Sequence, residues 1–214
     1  MRGERPLVSK TKTFALPGEP FNAIVDPPGD KSLGHRALIL ASVADGESLV
    51  ANTSEGADVE STRITTRRLG IEYEGDRVKS PGIGAWSIPD APLDCGNSGT
   101  TMRLLAGSIA GSRVDATLVG DTSLLRRPMR RLVEPLSELG ADIAVRDGGT
   151  APIRIRGSAL KGADVAIPIA SAQIRTAVAL AALTADGATR IDSPPGFRDH
   201  TERWLAHLGL GRFE

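Results

Sequence analysis

Aromatic side chains, cysteine and net charge are nearly absent from this chain of 214 residues. Phe, Trp and Tyr together make up 3% of it, so the core has to be assembled from Ala, Leu, Ile and Val. The single cysteine, Cys95, excludes an internal disulfide. Neither Cys95 nor the scattered His35, His200 and His207 falls into metal-ligand spacing, so no metal is expected. Lys+Arg equals Asp+Glu at 26 each, which removes the case for nucleic acid or a membrane surface as a partner. A local basic site for a small anion stays open. No apolar run approaches the ~20 residues of a membrane-spanning helix. The opening MRGERPLVSKTKTF is basic, lacks the apolar segment of a secretory signal and reads as a tail. The cytoplasm is the default compartment.

A P-loop is also missing. PPGDKSLGHR, Pro27 to Arg36, has the glycine, lysine and serine of a phosphate lip ahead of an apolar helical run. The nucleotide loop needs G-x-x-x-x-G-K-[ST], with lysine directly after glycine. Here Asp30 separates Gly29 from Lys31, and Ile24 stands where the first glycine belongs. A carboxylate inside the loop would repel a nucleotide.

What is present is a repeat. Three apolar runs, RALILASVADGESLV from Arg36, MRLLAGSIAGSRVDATLV from Met102 and TAVALAALTADGATRI from Thr176, each read as a helix, a small-residue stop and a short strand. Gly46, Gly111 and Gly187 fall at the three stops, where a residue tolerating φ > 0 suits a helix end. A second landmark keeps step: Leu-Gly recurs at 69–70, 139–140 and 208–209, at intervals of 70 and 69 residues. Two landmarks with one period predict three copies of a single supersecondary unit, β-α-β-α-β-β, with the third copy truncated before its final hairpin.

Each long apolar helix has a similar entrance. The first offers Lys31 and Ser32, the second Asn97, Ser98, Gly99, Thr100 and Thr101, the third Ser171 and Gln173. Lys31, Ser98 and Ser171 are 67 and 73 residues apart. Small N-capping residues account for any one of these alone. In a pseudo-threefold frame, three helix N-termini on one face would gather unpaired N–H groups and partial positive charge for an anion. GDTSLLRRPMRRLVEPL adds Arg126 and Arg127 just ahead of a helix expected to start near Pro128, with Arg130 and Arg131 on its solvated face. In FRDHTERWLAHLG, Arg198 precedes a helix that Asp199 or Thr201 could cap, with Glu202 in its first turn.

PPGDKSLGHRALILASVADGE, LDCGNSGTTMRLLAG, GDTSLLRRPM, SAQIRTAVALAAL and RDHTERWL together resemble the N-terminal half of the 5-enolpyruvylshikimate-3-phosphate synthase family, over roughly residues 20 to 214. The resemblance implies an α/β fold of two domains, each of three β-α-β-α-β-β units. It implies transfer of the enolpyruvyl group of phosphoenolpyruvate to the 5-hydroxyl of shikimate 3-phosphate, a step of aromatic amino-acid biosynthesis that needs no cofactor. By resemblance, Lys31 contacts phosphoenolpyruvate and takes part in proton transfer. Ser32 and Arg36 hold shikimate 3-phosphate, whose phosphate sits on Ser171 and the Ala172 backbone with Gln173 beside the ring. Arg198 matches a further shikimate-phosphate contact in one branch of the family. Gly99 and Arg127 line the phosphoenolpyruvate pocket, and Asn97 organises its loop. His35 and Cys95 receive packing roles only.

Two departures qualify the resemblance. Gly34 replaces a usual serine, and the family's second domain, with its base, acid and further cations, has no match here. Residues 1–20 read as a tail and domain-crossing segment, and 21–214 as the shikimate-3-phosphate-binding domain. In the family, Phe21 to Val25 would cross to the other domain. Two functional expectations follow: a half-enzyme active only with a complementary C-terminal domain, or a non-catalytic remnant that at most binds shikimate 3-phosphate.

Overall fold

In the computed structural model, which describes residues 13, 18, 24–195 and 198–212, the three Leu-Gly pairs end three helices identically. Gly70, Gly140 and Gly209 have φ of 94°, 87° and 70°. Each donates its N–H three residues back, to Arg67, Ser137 and Ala206. The following residues, Ile71, Ala141 and Leu210, donate five back, to the carbonyls of Thr66, Leu136 and Leu205 at 3.3, 3.2 and 2.8 Å. This is the paired 6→1 and 5→2 closure of a Schellman motif. The sequence period is therefore a structural one.

The first unit contains α1 (Lys31–Val43), β1 (Asp45–Leu49), α2 (Ala57–Arg67), β2 (Glu72–Glu74) and β3 (Arg77–Pro81). Its antiparallel sheet has the order β1-β3-β2. The second contains β4 (Leu93–Asp94), α3 (Gly99–Ala110), β5 (Asp115–Val119), α4 (Arg130–Glu138), β6 (Asp142–Arg146) and β7 (Thr150–Arg156), with sheet order β4-β5-β7-β6. The third contains β8 (Asp164–Ala166), α5 (Ala172–Ala182), β9 (Arg190–Asp192) and α6 (His200–His207). β8 pairs with β9 in parallel, as β4 does with β5. The second unit is thus β-α-β-α-β-β in full.

Helix α3 is the axle. Its run GTTMRLLAGSIA has apolar or small residues on every side, and all but Thr100 are buried. A helix with no polar face has to sit inside the fold. It packs so closely on α5 that a Cβ on Gly107 would overlap the Ala177 carbonyl. By contrast α4 buries one face, Leu132, Pro135 and Leu136, and leaves Arg130 and Arg131 in solvent as expected.

Three local expectations need correction. Of the stop glycines, Gly46 and Gly187 do have positive φ but lie beyond the helix caps, in or near the following strand. Gly111, which does cap α3, has φ −94°. It is small because a Cβ would collide with the Thr184 side chain. Pro128 lies two residues before α4, in a bridge to Thr150, and not at its first position. α6 has Asp199 at its N-cap without a side-chain bond, and the Thr201 hydroxyl meets Thr176 and Arg36 instead of capping the helix. Of the crossing segment, only Ile24 and Val25 lie within the described residues, as do only 13 and 18 of the tail.

Candidate functional site

The three inner helices start with side-chain caps. Asp30 accepts from Leu33 N–H at 2.8 Å, Ser98 from Thr101 N–H at 3.1 Å and Ser171 from Ile174 N–H at 3.4 Å. Asp30 is therefore the cap of α1, and that hydrogen bond holds its carboxyl below the usual range. Gly29 serves internal packing: a Cβ there would run into the backbone of Asn52, Thr53 and Ser54. The P-loop reading fails on both counts.

Buried polar groups tie the three entrances together pairwise. Between α1 and the third unit, Arg36, 4% exposed, donates from Nε to Thr201 Oγ1 at 2.7 Å and from Nη2 to Thr176 Oγ1 at 2.9 Å. Its Nη1 reaches Ser32 Oγ at 2.8 Å, and Thr176 and Thr201 are themselves 2.6 Å apart. Burial lowers the Arg36 pKa, with Glu202 opposing. Between the first unit and α3, His35 Nδ1 meets Thr62 Oγ1 at 2.7 Å. Thr62 meets Thr101 Oγ1 at 2.7 Å, and Thr101 donates to Ser98 Oγ at 2.8 Å. Burial pushes the His35 pKa down to about 4, so the ring is neutral.

Between α3 and α5, Arg103 donates from Nη1 to Gln173 Oε1 at 2.9 Å and to Gly99 O at 3.3 Å, and from Nη2 to Pro128 O at 3.3 Å. Gln173 Nε2 in turn reaches Thr100 Oγ1 at 2.9 Å. The ring of links closes: the three starts are held as one cluster.

Lys31 lies at the rim, 58% exposed, with Nζ 2.7 Å from Asp58 Oδ2 on α2. Asn97 bridges two loops, accepting from Arg127 Nη2 at 2.6 Å and donating to Asp121 Oδ2 at 2.6 Å. That bond and one from Leu124 N–H lower the Asp121 pKa. Gly99 lies beneath two guanidinium groups: a Cβ would stand 2.7 Å from Arg103 Nη1 and 3.2 Å from Arg127 Nη1. Arg198 is exposed just ahead of α6, where its carbonyl accepts from Arg175 Nη2 at 3.2 Å. Arg126 is exposed. Cys95 is fully buried and its thiol pKa is raised by burial, in keeping with packing.

Sequence reasoning overlooked Arg103, which is 6% exposed and sits at the centre of these links. The available signal was a charged residue inside the otherwise apolar MRLLAGSIA. It also gave His35 no part in the hydroxyl chain. Among the described residues, no group of His, Cys, Asp and Glu could hold a metal.

Comparisons with known proteins agree with one another. The family profile described as EPSP synthase (3-phosphoshikimate 1-carboxyvinyltransferase) matches residues 16–211. Proteins named 3-phosphoshikimate 1-carboxyvinyltransferase are similar: that of Alkalilimnicola ehrlichii is 47% identical over 90% of this chain and 45% of its own length. That of Halorhodospira halophila is 48% identical over the same shares. Among solved structures, EPSP synthase from Acinetobacter baumannii superposes with a TM-score of 0.79 at 38% identity, over 85% of this chain and 42% of that one. The chain spans about half the length of the curated relatives it matches.

Proposed function

The chain belongs to the EPSP synthase family, and on that premise we propose that it is the shikimate-3-phosphate-binding half of a 3-phosphoshikimate 1-carboxyvinyltransferase, turning over with a complementary domain. The observation that carries this reading is the closed ring of links joining the three helix starts. It holds Lys31, the Gly99–Thr100 turn and Ser171–Gln173 as one cation-rich cluster. Each substrate carries a phosphate and a carboxylate, the groups that helix N-termini and arginine forks suit.

In this reading the α5 entrance receives the sugar-like substrate. The Ser171 hydroxyl and the Ala172 N–H take its phosphate, and Arg198 approaches from the start of α6. Gln173 meets the ring, and Arg36 acts by holding Ser32. Arg127, oriented by Asn97, and Lys31 take phosphoenolpyruvate over Gly99. The 5-hydroxyl then gives up its proton and its oxygen bonds to the enol carbon while the methylene carbon takes a proton. The C–O bond to phosphate breaks, phosphate leaves, and the methyl group returns a proton to restore the double bond. Lys31, aimed by Asp58, moves a proton in this sequence.

Ile24 and Val25, 99% and 76% exposed, support the complementary domain, since two adjacent β-branched side chains in solvent call for cover. We read residues 21–214 as this one domain and its compartment as the cytoplasm. Among the described residues no helix is long and apolar enough to cross a membrane.

One observation favours the alternative, a protein that only binds shikimate 3-phosphate. Asp30, Asp58 and Asp121, the carboxylates bonded into the cluster, serve as a cap, an ion pair and a loop tie. None is left over as a base. The test is calorimetric titration with shikimate 3-phosphate, followed by phosphate release with both substrates. We expect binding by the chain alone. Release should appear on adding the C-terminal half of the Alkalilimnicola ehrlichii relative and vanish in Lys31→Ala. Binding without release in any mixture selects the alternative; no binding overturns both.

A further inference from the structure

We infer that Arg103 is a positioning residue that fixes the orientation of the Gln173 side-chain amide, and so sets which hydrogen bonds α5 offers to a hydroxylated ring. The inference rests on the reading of the α5 entrance given above and deepens it.

An amide side chain is ambiguous by itself, since either end can turn toward a neighbour. A guanidinium can only donate, so the end of Gln173 that faces Arg103 at 2.9 Å has to be the oxygen. The nitrogen then points to Thr100 Oγ1 at 2.9 Å. Among the described residues, one amide hydrogen and one oxygen lone pair remain uncommitted, in a fixed plane. That is a matched donor and acceptor for a ring hydroxyl.

Arg103 is itself held by the Gly99 and Pro128 carbonyls, on the two elements that flank the proposed phosphoenolpyruvate pocket. It is 94% removed from solvent with no carboxylate bonded to it, and its Nε has no hydrogen-bond partner among the described residues. Burial, with Arg131 and Arg127 nearby, lowers its pKa to about 10, which leaves it cationic at neutral pH. A buried cation facing two others is a poor choice for stability alone, since its desolvation is costly and no bonded carboxylate among the described residues offsets it. Its presence is explained by what it holds.

The experiment is a double-mutant cycle on shikimate 3-phosphate affinity, measured by calorimetry on the full chain as Arg103→Met, Gln173→Ala and both, with Arg103→Lys alongside. Arg103→Met should weaken binding about tenfold, as expected for losing a charge-assisted hydrogen bond. Arg103→Lys, which keeps a donor, should recover most of that loss. The double variant should bind as weakly as Gln173→Ala alone, within about twofold, because the two act as a unit. The melting temperature of Arg103→Met should fall less than that of Arg36→Met, because relief of the buried cation offsets the acceptors left unpaired. Losses that multiply in the double variant, unchanged affinity in Arg103→Met, or a loss of affinity that tracks a lowered melting temperature would each overturn the inference. Failure of the unaltered chain to bind overturns the underlying reading as well, and is told apart by that control.

Discussion

Along the α1–α5 seam Arg36 finds hydroxyls on three sides, whereas along the α3–α5 seam Arg103 finds two carbonyls and an amide oxygen. Both guanidinium groups are buried. Arg36 has Glu202 and Asp30 among its electrostatic neighbours, while the charges acting on Arg103 are Arg131 and Arg127. The first seam sets two carboxylates, Glu202 and Asp30, among Arg36, Arg175 and Arg198. The second keeps positive charge that an anion could use. Two arginines in matching places can therefore do different work, one closing a joint and the other preparing a surface.

The largest effect should come from breaking the closed seam. Arg36→Met leaves Thr176, Thr201 and Ser32 without their donor and should cost about 3 kcal/mol of stability. The same change at Arg103 should cost less, because removing an uncompensated buried cation offsets the acceptors left unpaired. Denaturant unfolding of both variants measures the contrast, and equal losses would erase the distinction between the seams.

The third seam responds to pH. The fold lowers the His35 pKa from 6.5 to about 4, so the unfolded chain binds a proton first as pH falls. The stabilisation is whole above about pH 6.5 and is lost on the way down to pH 4, amounting to ~2 kcal/mol between pH 7 and pH 5. His35→Gln should flatten this part of the unfolding profile relative to the unaltered chain. A profile of unchanged slope in the variant would assign the pH dependence to other groups.

A smaller effect separates the two halves of the second seam. Gly99→Ala drives a methyl group against Arg103 Nη1 and Arg127 Nη1, so phosphoenolpyruvate binding should weaken about tenfold. Shikimate 3-phosphate binding should change less, which competition calorimetry resolves; equal losses would mean that Gly99 serves both subsites. The smallest effect should be a gain. A Cβ on Gly34 would meet Val59 side-chain atoms at 3.6 and 3.7 Å, ordinary contact, and the position is helical. Gly34→Ala should raise stability by about 0.5–1 kcal/mol, seen as a higher melting temperature.

The sequence made the frame legible because backbone geometry restricts composition. Leu-Gly at 69–70, 139–140 and 208–209 had to recur where φ is positive, and Ser98 and Ser171 had to stand where N–H groups lack acceptors. The links between units were not legible. Arg36 meets Thr176 and Thr201 across 140 and 165 residues, and Arg103 meets Gln173 across 70. Nothing local in threonine or glutamine announces such partners. The basic run Arg126–Arg131 was conspicuous, but among its arginines Arg126, Arg130 and Arg131 are exposed; the buried arginine one helix earlier holds the cluster.

Three helices stop in the same way, and three others start differently, with a lysine, a glycine under two arginines, and a serine followed by an amide. A scaffold with threefold repetition thereby presents an arrangement without any rotational symmetry. Its groups follow one another in a fixed circular order, so the cluster distinguishes three positions that its frame repeats. A ring carrying the same substituents in mirror-image or permuted order would place each against the wrong partner. Duplication supplied the framework; divergence at the three starts made it able to tell one substituent position from the next.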